Sequence, residues 1–195
     1  LGYCDGTYTY RPDDWYDETY DNSFRQEYNV SVNGQAEKLN YYANVGYLND
    51  GGTVANSGFE RYSARTNVEY QAKDWLKLST NMSFTSVETE TPSYNVDDWG
   101  SSGNLFYITN SIAPIYPLYV RDADGNIMTD NGRVVYDANQ TNFKRPGFVG
   151  NAVRNNLYDR YKGVQETFSG KWAATITPVK GLILQATLSA TNITS

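Results

Sequence analysis

The sequence predicts an all-β chain, a segment of a large antiparallel transmembrane β-barrel. Three observations carry this. Strict alternation of apolar and polar residues recurs six times, which marks strands with one oily and one wet face. The runs are about ten residues long, nearer the ~9–11 of a tilted bilayer-crossing strand than the ~5–6 of soluble domains. Short connections alternate with long ones, the asymmetry of outer-membrane barrels.

In the first strand Phe24, Tyr28, Val30 and Val32 oppose Arg25, Glu27, Asn29, Ser31 and Asn33. The second sets Leu39, Tyr41, Ala43, Val45 and Tyr47 against Lys38, Asn40, Asn44 and Gly46, with Tyr42 as the exception. The third has Tyr62, Ala64, Val68 and Tyr70 on one face. The fourth has Leu76, Leu78, Met82 and Phe84. Far downstream come Phe168, Trp172, Ala174 and Ile176, then Leu182, Leu184, Ala186, Leu188 and Ala190. "NGQAEK" (33–38), "QAKDW" (71–75) and "TPVKG" (177–181) read as the short hairpin turns. The division expected is a lead-in at 1–22, four strands over 23–86, a very long loop over 87–163 and two more strands over 164–195.

Composition fits a polar lumen. Mean hydropathy is −0.62 and net charge −6, and no apolar run approaches the ~20 residues of a membrane helix. The alternative is a secreted soluble β-sandwich binding glycans through exposed aromatics. It requires the apolar faces to bury one another and the strands to break at about six residues. The acidic balance (pI ≈ 4.6) argues against nucleic-acid binding, which needs a basic footprint. The chain begins at Leu1 without a visible signal peptide and reads as a piece or a processed product. Cys4 is alone, so no disulfide framework is expected.

Candidate chemistry is sparse. There is no His, the commonest general base and metal ligand. "DADGN" (122–126) fails as a calcium loop, because the sixth and twelfth places hold Ile127 and Arg133. It reads as a tight turn inside the long loop. The adjacent pairs Asp13/Asp14 and Asp97/Asp98 point to opposite sides of an extended chain and make no catalytic dyad. No enzyme, cofactor or metal is therefore expected. Four Asn-X-Ser/Thr triplets, at Asn29, Asn81, Asn139 and Asn192, read as chance. In the long loop Tyr94, Trp99, Phe106 and Tyr107 stand among Asn, Ser and Asp. Rings flanked by hydrogen-bonding side chains suit stacking on a sugar or packing on a peptide, so these four are the candidate substrate-binding residues.

Residues 13–86, from "DDWYDETYDNSFRQEYNVSVNGQAEKLNYYANVGYLNDGG" through "FERYSARTNVEYQAKDWLKL", resemble the SusC/RagA family of TonB-linked outer-membrane transporters of Bacteroidetes. "IAPIYPLYVRDADGN" (112–126) and "TPVKGLIL" (177–184) resemble further segments of that family, in the right order. The resemblance implies the bacterial outer membrane, uptake of an oligosaccharide or oligopeptide, a SusD-like surface lipoprotein as partner, and energy through the TonB complex. It also implies a plug, a TonB box and an N-terminal domain that this chain does not contain. Outer-membrane lipid would surround a barrel of ~22 strands, of which six are here.

Overall fold

A computed structural model describes residues 2–92, 105–146, 150–158 and 160–195. In chain order its elements begin with β1 (Tyr3–Cys4), β2 (Thr9–Tyr10), β3 (Arg25–Ala36), β4 (Leu39–Gly51), β5 (Gly58–Lys73) and β6 (Leu76–Pro92). Then come α1 (Leu105–Ser111), β7 (Thr129–Asp130), β8 (Arg133–Val134), α2 (Ala152–Tyr158), β9 (Arg160–Val179) and β10 (Leu182–Thr194). They divide into a sheet unit (Phe24–Gly51, Gly58–Glu90, Lys162–Ser195) and a loop unit (Leu1–Ser23, Gly52–Ser57, Thr91–Tyr161).

The sheet unit is one open, six-stranded sheet in the order β10-β9-β6-β5-β4-β3. Its hairpins β3–β4, β5–β6 and β9–β10 are antiparallel, as is the β4–β5 pair. Register places like with like over most of the sheet, with Leu48 between Glu27 and Arg61 as an exception. On one face lie the cross-strand rows Tyr28–Tyr47–Tyr62, Val30–Val45–Ala64–Phe84 and Val32–Ala43–Thr66–Met82. The other carries Asn29–Gly46–Ser63–Thr85, Ser31–Asn44–Arg65–Ser83 and Asn33–Tyr42–Asn67–Asn81. Because side chains alternate with a period of two, a slip of one residue would turn every row over, which pins the register.

No second sheet covers the apolar face among the described residues. Val30, Val45 and Leu188 stay 68%, 64% and 67% exposed. This corrects the sandwich alternative, which needs that face buried. The Tyr28, Tyr47 and Tyr62 rings stand side by side, centroids 6.5 and 5.0 Å apart. Tyr70 lies eight residues further along β5, roughly 26 Å at about 3.3 Å per residue. That spacing is the order of the ~25 Å apolar band that aromatic girdles bracket in membrane barrels.

The first turn differs from its expected form. Strand pairing continues through Gly34↔Tyr41 and Ala36↔Leu39, so only Glu37 and Lys38 turn. Gly34 serves the strand: a Cβ there would collide with the Tyr41 ring lying across it, the covering of a sheet glycine by a neighbouring aromatic. Gly170 lies under Trp172 in the same manner. Gly181, by contrast, is a true turn glycine, with φ +91°, where L side chains are strained. Strands β6 and β9, at 17 and 20 residues, exceed what a bilayer needs. Their polar extensions are joined by Lys162 Nζ and Glu88 Oε1, 2.5 Å apart.

The loop unit has a core of its own, built from Trp15, Val54, Leu105, Ile108, Ile112, Leu118, Ala152 and Val153. Three separate stretches supply it. The two short helices were not anticipated from the sequence. In α1 and just past its end, Leu105, Ile108 and Ile112 recur at a helical spacing and are all buried, too few for a period to stand out. Asn151 precedes α2 as its N-cap, its Oδ1 accepting from the Arg154 amide at 3.1 Å.

Candidate functional site

A helical turn after Asp14 opens the site. Asp14 Oδ1 accepts from the amides of Tyr16 (2.9 Å) and Asp17 (3.0 Å), and the Tyr20 amide donates to the Tyr16 carbonyl at 2.9 Å. This cap and turn place Tyr16 and Tyr20 four residues apart on one side, ring centroids 4.5 Å apart. Tyr20 in turn lies 6.3 Å from Phe106 on α1. The three rings form a row along the surface. Tyr16 and Phe106 are exposed and Tyr20 half-buried. Tyr107, the next residue of α1, is exposed as well.

Of the four predicted ring residues, Phe106 and Tyr107 thus sit on the outer side of α1, while Tyr94 and Trp99 lie outside the described residues. Tyr16 and Tyr20 were missed. Their spacing in "DDWYDETYD" is a helical signal, but nothing in the sequence says that Phe106, some ninety residues away, arrives beside them.

Beneath the row the scaffold is polar and tightly bonded. Asp13 accepts from the Leu118 amide at 2.7 Å and the Tyr119 amide at 3.3 Å, and from Arg121 Nη1 and Nη2 at 2.9 and 2.5 Å. The pair's side chains are only 10% exposed. The carboxylate raises the Arg121 guanidinium above its ordinary pKa, and a forked geometry of this kind gives orientation as well as strength. Trp15 Nε1 donates to the Tyr116 carbonyl at 2.9 Å. Arg145 stacks over the Trp15 ring, 5.2 Å from its centroid, and donates to the carbonyls of Asp137 and Gly150 at 2.7 and 2.8 Å. Burial lowers the pKa of Arg145 and raises that of Asp137. Burial also pushes the Tyr119 phenol well above its usual range, with Glu18 adding to the shift.

A second polar knot ties the first residues to the far end of the loop. The Asp5 carboxylate accepts from the Thr7 and Tyr8 amides, the Tyr10 hydroxyl and Asn142 Nδ2, each at 2.8 Å. These donors, the Tyr8 amide foremost, hold its pKa well below the ordinary carboxylate value. Asp122 to Asn126 close a tight turn with Gly125 at φ +88°. The described residues contain no cluster of three metal-ligating side chains.

No family model matches the chain. It is 28% identical over 120 residues, 60% of its length, to the TonB-dependent receptor P26 of Formosa agariphila. It is 33% identical over 72 residues, 36% of its length, to the TonB-dependent receptor SusC of Bacteroides thetaiotaomicron. The chain spans 11% and 7% of those relatives. Among solved structures, the RagAB peptide transporter matches 94% of the chain with TM-score 0.66 and 22% identity. The RagAB peptide importer in its open-open state matches 97% with TM-score 0.64 and 21% identity. The chain covers 19% and 20% of those structures, and the likeness to them is one of fold. The likeness in sequence is to TonB-dependent receptors, SusC among them, and the likeness in fold is to the RagAB transporter. The relatives are receptors and transporters rather than enzymes.

Proposed function

We propose that this SusC/RagA-like segment is part of a TonB-dependent importer in the bacterial outer membrane, taking up an oligopeptide or oligosaccharide. In this reading 23–86 and 164–195 are barrel strands with the apolar rows toward lipid and the polar rows toward the lumen. Residues 87–163, with the lead-in 1–22, form the extracellular surface. There Phe106 and Tyr107, with Tyr94 and Trp99 of the same loop, contact cargo or a SusD-like lipoprotein. The observation that carries the reading is the exposed apolar face of the sheet, where the row Tyr28–Tyr47–Tyr62 and Tyr70 stand about a girdle spacing apart. Energy would enter through parts of the protein outside this chain.

The test is fractionation and uptake with the full-length protein. The expected result is recovery with the outer membrane, a detergent requirement for extraction, and uptake of a labelled oligomer that falls to background when TonB is deleted. A protein that stays monomeric and soluble in plain buffer refutes the proposal.

A further inference from the structure

Beside the aromatic row the loop unit carries a cleft of about 310 Å³. Pro12, Ile112 and Pro114 give it apolar walls above the buried Trp15, and the exposed Tyr16 and Asp14 lie at its edge. Its charge is one-sided. Asp13 is matched by Arg121, and Arg145, the cation under Trp15, is buried and donates to two backbone carbonyls. Asp14 has no such partner. Its Oδ1 caps the turn, and its Oδ2 takes no hydrogen bond from the described residues. Asp17 is exposed close by. The bias extends to the whole unit, which has thirteen acidic residues against seven basic ones. The sheet unit balances nine with nine, so the entire net charge of −6 belongs to the loop unit.

We propose that this cleft seats a lysine or arginine side chain of an oligopeptide. The methylenes of such a side chain suit the Pro12–Ile112–Pro114 walls, while its charged end reaches Asp14 and the face of Tyr16. A neutral sugar would gain the ring and could donate a hydroxyl to Asp14, but it would bring no counter-charge to an acidic unit. The inference rests on the importer reading and narrows its cargo to basic peptides.

The experiment measures calorimetric binding of pentapeptides to the purified full-length protein. The peptides differ only in a central Lys, norleucine or Glu, and a neutral pentasaccharide is run alongside. The variants are Asp14→Asn and Tyr16→Ala. Asparagine accepts the same two amide bonds as Asp14, so the turn keeps its cap. The lysine peptide should bind about threefold to tenfold tighter than the norleucine peptide at low salt, and the glutamate peptide weakest. Asp14→Asn should erase the lysine advantage and leave norleucine binding unchanged. Tyr16→Ala should weaken both. Equal binding of lysine and norleucine peptides, an advantage that survives Asp14→Asn, or binding of the pentasaccharide alone overturns the proposal, as does a failure of every peptide to bind. Uptake and TonB dependence are read separately, so a soluble protein that still prefers lysine refutes the importer and spares the cleft.

Discussion

A charge placed on one face of β4 or on the other provides a decisive comparison. Ala43 sits in the row Val32–Ala43–Thr66–Met82, four residues from Tyr47 and four from Leu39, which pairs with Tyr70. At about 3.3 Å per residue this is roughly 13 Å from either aromatic level, near the middle of the apolar band. Asn44, one residue on, belongs to the polar row Ser31–Asn44–Arg65–Ser83. In the proposed barrel, Ala43→Arg puts a guanidinium at the bilayer midplane, at a cost of about 2–4 kcal/mol. That is roughly 30- to 1,000-fold in the folding equilibrium, since about 1.4 kcal/mol is tenfold. Asn44→Arg places the same side chain toward water and should cost less than ~1 kcal/mol. Urea titration of the full-length protein folding into lipid vesicles, read by the mobility of the unheated protein in a detergent gel, gives both numbers. Equal costs, or a larger cost for Asn44→Arg, would refute the assignment of the two faces and with it the barrel.

Three further outcomes concern the loop unit. Asp13→Ala leaves Arg121 and two amides without their acceptor. Local opening should become easier by about 3–5 kcal/mol, and hydrogen exchange at Leu118 and Tyr119 should accelerate at least a hundredfold while sheet amides stay protected. Asn151→Ala removes the cap of α2 and the bonds to the carbonyls of Leu118 and Asp137 (3.1 Å each). A loss of about 1–3 kcal/mol is expected, measured as faster proteolysis within residues 150–158. The folded pKa of Asp5 lies below its ordinary value of 3.8, so the stability it contributes is fully present above about pH 4 and is lost as pH falls through the folded value. Proteolysis near residues 2–10 should rise on acidification below pH 4 in the native protein, and Asp5→Asn should show much less pH dependence there.

The sheet was legible because its pattern repeats. About ten residues of two-fold rhythm in each run outvote any single exception, and Tyr42 indeed stands among the polar row of Asn33, Asn67 and Asn81. Gly34 misled because a glycine after asparagine signals a turn, whereas here its bare backbone accommodates the Tyr41 ring. That distinction depends on the partner strand and is invisible locally. The helices escaped notice because seven residues hold less than two full turns, so neither shows a sustained period. One ring of the three in the aromatic row was readable, since Phe106 stood in the loop as expected but Tyr16 and Tyr20 join it only through the tertiary fold. What places them is a set of bonds spanning a hundred residues, Trp15 to Tyr116 and Asp13 to Arg121 among them.

The origin of the loop core in three separate stretches also bears on how such a surface can change. Asn56 donates to the Asn156 carbonyl at 2.6 Å and Asn156 to the Ala55 carbonyl at 2.7 Å, so the short 52–57 bend and α2 hold each other in place. Transplanting 91–161 from a cousin would bring its helices without the Trp, Asp and Asn that lock them. A working graft must carry all three pieces together, as one cassette distributed along the gene. On the importer reading, drift in cargo preference should therefore leave coordinated changes near residues 13–20, 54–56 and 105–157.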